Sequence, residues 1–143
     1  MKRTIFLGCM GLLFALMVVV SYAAMTKVPI STSDLPDLKG KWEGWRTGAV
    51  GGAGLRTELE IYNDTLPLKG KITFHDVKRR GMKDAIGDFI QELNGTITND
   101  GNLYSKSGQN SIELSLYKGD GKMKLDGDFY LTGFKGTLTL NKK

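Results

Sequence analysis

The chain is poor in the residues that build reactive sites. Its 143 residues include one cysteine, Cys9, and one histidine, His75. Cys9 lies in an apolar N-terminal stretch that reads as removable, so the folded part offers no thiol for a disulfide, a zinc site or a redox centre. His75 falls on an outward position near a strand end, where a lone histidine reads as surface rather than as base or ligand. The serines are scattered, and none sits in a nucleophile elbow. Asp120, Asp126 and Asp128 miss the spacing of an EF-hand loop. The glycine-rich stretch from Gly48 to Gly54 is not followed by a helix carrying lysine and a hydroxyl, which excludes a phosphate cradle. The sequence therefore predicts no enzyme, no metal and no cofactor.

Charge of one sign is also scarce. The formal net charge is +5, and Lys2 and Arg3 supply two of those units. What remains is interspersed with acids, as on an ordinary solvated surface, not gathered into a stripe. A nucleic-acid partner is excluded on that ground.

What the chain does have is a period of two. Ile112, Leu114 and Leu116 oppose Ser111, Glu113, Ser115 and Tyr117. Met123, Leu125, Gly127, Phe129 and Leu131 oppose Lys122, Lys124, Asp126, Asp128 and Tyr130. Phe134, Gly136, Leu138 and Leu140 oppose Lys135, Thr137, Thr139 and Asn141. Successive side chains of a strand leave on opposite faces, so these runs predict half-buried strands. The connections Lys118–Gly121 and Thr132–Gly133 are short and glycine-bearing, as hairpins require. The same alternation marks Leu38–Trp45, Leu55–Tyr62, Leu68–Val77, Phe89–Thr98 and Gly101–Ser107. Long helices are missing. The fold class is all-β: one antiparallel up-and-down meander barrel of about eight strands, with closure removing the exposed edges.

Residues 1–23 read differently. Lys2 and Arg3 precede an apolar run from Ile5 to Val20, and Ser21-Tyr22-Ala23 follows with small residues where a signal peptidase reads. This predicts a signal peptide helix cleaved after Ala23 and a periplasmic or secreted protein. The alternative is an uncleaved signal, which would be the chain's only contact with a membrane. Cys9 comes too early in the run for a lipid-attachment signal. The organisation is then a signal peptide (1–23), a leader (24–37) and a barrel domain (38–143). The leader reads as a loop or one short turn capped by Ser33 or Asp34.

The form apolar-x-Gly-x-apolar recurs at Leu68–Ile72, Leu93–Ile97, Leu125–Phe129 and Phe134–Leu138. Such inward glycines either let coiled strands close a small barrel or hollow it for a ligand. The second possibility assigns a lumen lined by Trp42, Phe74, Leu93, Ile97, Leu114, Leu125 and Phe129.

Gly40-Lys41-Trp42, on the first strand of a meander preceded by a signal peptide, resembles the opening motif of the lipocalin and avidin group. The resemblance implies a barrel whose end is plugged by Trp42, with Gly40 at the tight approach, and an apolar molecule inside. Lipocalins often place an arginine of the last strand over that tryptophan. No arginine follows Arg80 here, so Lys135 or Lys142 would take its place. Trp42 and Trp45 are the only tryptophans, which speaks against an avidin-like biotin site.

Two functions fit. One is an exported, non-enzymatic barrel that binds a small apolar ligand in its lumen. The other is a filled barrel that binds an envelope protein through its outside, using Trp45, the Gly48–Gly54 loop and the basic Lys78–Lys83 loop with Arg79 and Arg80.

Overall fold

A computed structural model describes residues 24–48, 54–77 and 87–143, without the side chain of Phe134. The expected signal peptide, most of the Gly48–Gly54 loop, and the Lys78–Lys83 loop with Arg79 and Arg80 lie outside the described residues.

The alternating runs are strands. After β1 (Thr26–Val28) and the single turn α1 (Leu35–Leu38) come β2 (Gly40–Thr47), β3 (Leu55–Ile61), β4 (Leu68–Val77) and β5 (Gly87–Ile97). Then follow β6 (Leu103–Ser107), β7 (Asn110–Gly119), β8 (Lys122–Leu131) and β9 (Phe134–Lys142). From β2 onward each strand pairs antiparallel with the next. β9 also returns to β2, from Trp42↔Lys142 to Thr47↔Thr137. That last ladder closes an eight-stranded up-and-down barrel with β1 as an extra strand.

The leader is more ordered than a loop. Thr26, Lys27 and Val28 pair with Lys118, Tyr117 and Leu116 of β7. They occupy the stretch of β7's edge that lies past its pairing with β6, which runs only from Asn110 to Leu114. The turn that follows is closed by Ser31 and Asp34: the Ser31 N–H and hydroxyl each donate to Asp34 Oδ2 at 2.8 Å. Ile30, Leu35 and Leu38 then insert into the core at the end of the barrel where β2 begins.

That end is sealed by the residues the Gly-x-Trp resemblance singled out. The Trp42 indole N–H donates to the Leu38 carbonyl at 2.9 Å. The Lys142 ammonium stands 4.9 Å from the centroid of the Trp42 ring. It also donates to the carbonyls of Asp37, at 2.8 Å, and Lys39. Of the two lysines the resemblance offered, Lys142 is thus the one that covers the tryptophan. Burial pushes the Lys142 ammonium below its usual pKa.

The inward glycines serve close packing. A Cβ on Gly70 would lie 1.9 Å from the Glu60 carbonyl oxygen, and one on Gly127 would lie 2.0 Å from that of Glu113. Neighbouring backbone therefore occupies the space a side chain would need. At Gly95 a Cβ would meet Leu103 Cδ1 at 2.8 Å, so there a side chain has filled the gap. These glycines allow tight coiling of the wall and do not hollow it.

Two expectations follow. Gly127→Ala should destabilise the fold by about 1–3 kcal/mol, the usual range for overpacking, in denaturant titration. An unchanged midpoint would mean the backbone is not held that closely. The second concerns Asp34, whose carboxyl is lowered from 3.8 to about 2, chiefly by its hydrogen bond to Lys118, 2.6 Å away, and then by those from Ser31. A depressed carboxylate contributes stability that is full above its unfolded value and is lost as pH falls through its folded one. The melting-temperature gap between wild type and Asp34→Asn should therefore hold from neutral pH down to about 4 and vanish near pH 2. A gap independent of pH would show that the ion pair does not anchor the leader.

Candidate functional site

The two ends of the barrel differ in chemistry. β3, β5, β7 and β9 start at the end opposite Trp42, where β2, β4, β6 and β8 finish. The wall there is apolar at its centre. Phe74 packs against Phe129, with ring centroids 5.6 Å apart, and against Phe89, 6.2 Å away. Phe89 is 37% exposed and forms the rim.

Polar groups are buried beside these rings. Arg46, only 6% exposed, points inward from the end of β2. Its Nη1 donates to the Arg56 carbonyl at 2.9 Å and to Thr57 Oγ1 at 3.3 Å. Its Nη2 donates to the His75 carbonyl, and its guanidinium lies 5.8 Å from the Phe74 ring centroid. Burial lowers the Arg46 pKa, opposed by the negative charges of Asp76 and Asp88. None of the described carboxylates comes within 4.0 Å of the guanidinium. Gln91 is 4% exposed, opposite Ile72 on β5, and neither its amide nitrogen nor its amide oxygen has a hydrogen-bond partner among the described residues. Thr57 and Ser105 are the other inward polar side chains, and Ser105 Oγ accepts from the Asn94 N–H at 3.0 Å. The interior is therefore not uniformly apolar: a cation and an unpaired amide lie within one end of it.

Local irregularity puts them there. The β4–β5 register shifts between Phe74 and Val77, and Asp76 takes the left-handed φ of 53°. Such a bulge re-aims the chain, and here the His75 carbonyl serves the guanidinium. The β5–β6 ladder pairs only Gly95–Ile97 with Leu103–Ser105. Gln91 lies on the part of β5 beyond that ladder, towards the aromatic end.

Outside the wall, His75 is not the lone surface residue the sequence suggested. Its Nε2 lies 2.6 Å from Glu58 Oε2 and its Nδ1 lies 3.0 Å from Asp88 Oδ2. Arg56 joins the group through Glu43 at 3.0 Å and Glu58 at 2.9 Å. The Glu58 carboxyl is held below its usual pKa, first by the His75 hydrogen bond. A groove of about 320 Å³ runs beside this network, lined by Lys41, Glu43, Glu58, Glu60, Lys71 and Lys143 among others. Glu43 pairs with Lys143, Glu60 with Lys71, and Glu58 with Arg56 and His75. Among the described residues no group of three or more His, Cys, Asp or Glu side chains is placed to hold a metal ion.

The predicted lining residues divide. Phe74 and Phe129 meet at the aromatic end. Trp42, Leu114 and Leu125 are sealed in the core, Leu93 is buried beside them, and Ile97 is half-buried at the Trp42 end. The shaft below Phe74 is thus filled by side chains. Trp45 is 56% exposed on the outer face, and its suggested companions Arg79 and Arg80 lie outside the described residues. Arg46 and Gln91 escaped the sequence reading, although alternation continued from Trp42 and from Leu93 places both inward. No protein-family model, no curated protein and no solved structure matches the chain.

Proposed function

We propose that this protein is a non-enzymatic binding barrel that takes a small molecule with an apolar body at the aromatic end of its lumen. The supporting observation is Gln91. A buried amide without a partner carries a desolvation cost of about 1–3 kcal/mol, and nearly all buried polar groups in folded proteins are satisfied. A ligand with polar atoms beside Gln91 and an apolar body against Phe89 and Phe129 removes that cost on binding. The filled shaft limits the ligand to a short one. We also propose that the chain works outside the cytoplasm, as the basic start, apolar run and small-residue site of residues 1–23 support.

Trp45 favours a second reading, in which the outer face of β2 meets an envelope protein, since exposed tryptophans are frequent interface anchors. Trp45→Ala would then reduce recovery of a cross-linked partner from the host envelope without affecting ligand binding.

The stability of the empty barrel tests the first reading. Gln91→Leu should raise stability by about 1–2 kcal/mol, because it removes an unpaired buried amide, while weakening capture of the natural ligand. Native mass spectrometry of protein from its own host should show a bound small mass on wild type and less on the variant. A destabilised variant, or wild type with no bound mass and no response to the neutral fluorophore N-phenyl-1-naphthylamine, would overturn it. Intact mass should also show a mature chain beginning at Ala24.

A further inference from the structure

We infer that the ligand bound at the aromatic end carries a singly negative head, a carboxylate, held by Arg46. This rests on the binding reading above and adds the chemical class. The guanidinium has five N–H donors, and three are taken by the Arg56 carbonyl, the Thr57 hydroxyl and the His75 carbonyl. All three acceptors are neutral, so these three hydrogens are satisfied and the charge is not. A buried cation without a close counter-ion is costly, and a methionine at position 46 would fill the same space without that cost. The two remaining donors belong to Nε and Nη2, neighbouring nitrogens of the fork, and a planar carboxylate presents two oxygens at matching separation.

The surroundings narrow the head further. Asp76 and Asp88 lie near enough to act on the Arg46 charge without contacting it. Their repulsion of further negative charge favours a singly charged carboxylate over a phosphate dianion. Phe89, partly exposed at the rim and packed against Phe74, supplies the apolar contact. Since Phe74, Leu114 and Leu125 expose no surface, the tail turns out towards the rim and does not descend the axis. The ligand class is a short amphiphilic monocarboxylate, a medium-chain fatty acid or an aryl carboxylate.

A matched series on delipidated protein purified from its host separates charge from apolar contact. Decanoate, decanol and decyl phosphate are titrated calorimetrically against wild type, Arg46→Met and Arg46→Lys. Wild type should bind decanoate at least ten-fold more tightly than decanol and more tightly than decyl phosphate. Arg46→Met should lose that preference yet keep its affinity for decanol, and Arg46→Lys should retain only part of the preference. If Arg46→Met does not fold, the wild-type ratio and Arg46→Lys decide alone. Equal binding of decanoate and decanol by wild type overturns the charge assignment and leaves the binding reading intact. Tighter binding of decyl phosphate overturns the carboxylate head. Failure of wild type to bind any of the three overturns the binding reading itself.

Discussion

The ladder between β2 and β9 is the contact on which the rest depends. It joins the first long strand to the last, Trp42↔Lys142 through Thr47↔Thr137, and leaves a closed wall. Without it, β2 and β9 would each present a row of unpaired N–H and C=O groups to other chains. Closure sets the interior volume, because eight strands enclose a space that side chains can just fill. It also dictates the inward glycines. At Gly44 a Cβ would stand 1.8 Å from the Thr139 carbonyl oxygen, across this same ladder. A wall so tightly coiled tolerates no side chain there, and the choice of glycine at inward positions follows from closure before any ligand is considered.

Once the wall is closed, its two ends must be finished separately, and the chain finishes them in opposite ways. The Trp42 end is made dry. The leader lays β1 along β7 and drops Ile30, Leu35 and Leu38 into the opening, where the Leu38 carbonyl takes the indole N–H. Lys142 completes it by lying over the indole while capping carbonyls at the end of α1. Every polar atom in that account has a partner. The opposite end keeps a buried guanidinium on neutral acceptors and an amide on none. Because the two ends share one wall and one core, the difference lies in the residues and not in the architecture.

The strands were legible because a wet outer face and a packed inner face impose the period of two on nearly every one of them. Leu68–Val77 matches the structure to the residue, and the glycine turns fall where the hairpins are. β1 was not legible: three residues with one apolar side chain give alternation nothing to act on, and their pairing depends on an edge of β7 distant in sequence. Inward direction was legible for Phe74, Leu93, Leu114, Leu125 and Phe129, but whether inward residues line a space or fill it depends on volumes that a pattern does not carry. Arg46 and Gln91 were hidden by the burial rule itself, since a charged or amide side chain is first taken as solvent-facing. The His75 cluster was hidden for another reason. It draws on β3, β4 and β5 at the point where the β4–β5 register breaks, and no period survives a bulge.

That bulge ties the outside of the wall to the inside. The imidazole of His75 is gripped on the outer face by Glu58 and Asp88, while its carbonyl, on the other side of the same residue, accepts from Arg46. The outer carboxylates thereby fix the backbone that fixes the guanidinium. Thr57 on β3 and the Arg56 carbonyl fix it again from the neighbouring strand. A cation kept only for packing needs no such restraint, because a long side chain can shift to find solvent. One held by two strands, stacked near an aromatic ring and denied a close carboxylate is preorganised: its ordering cost is met on folding.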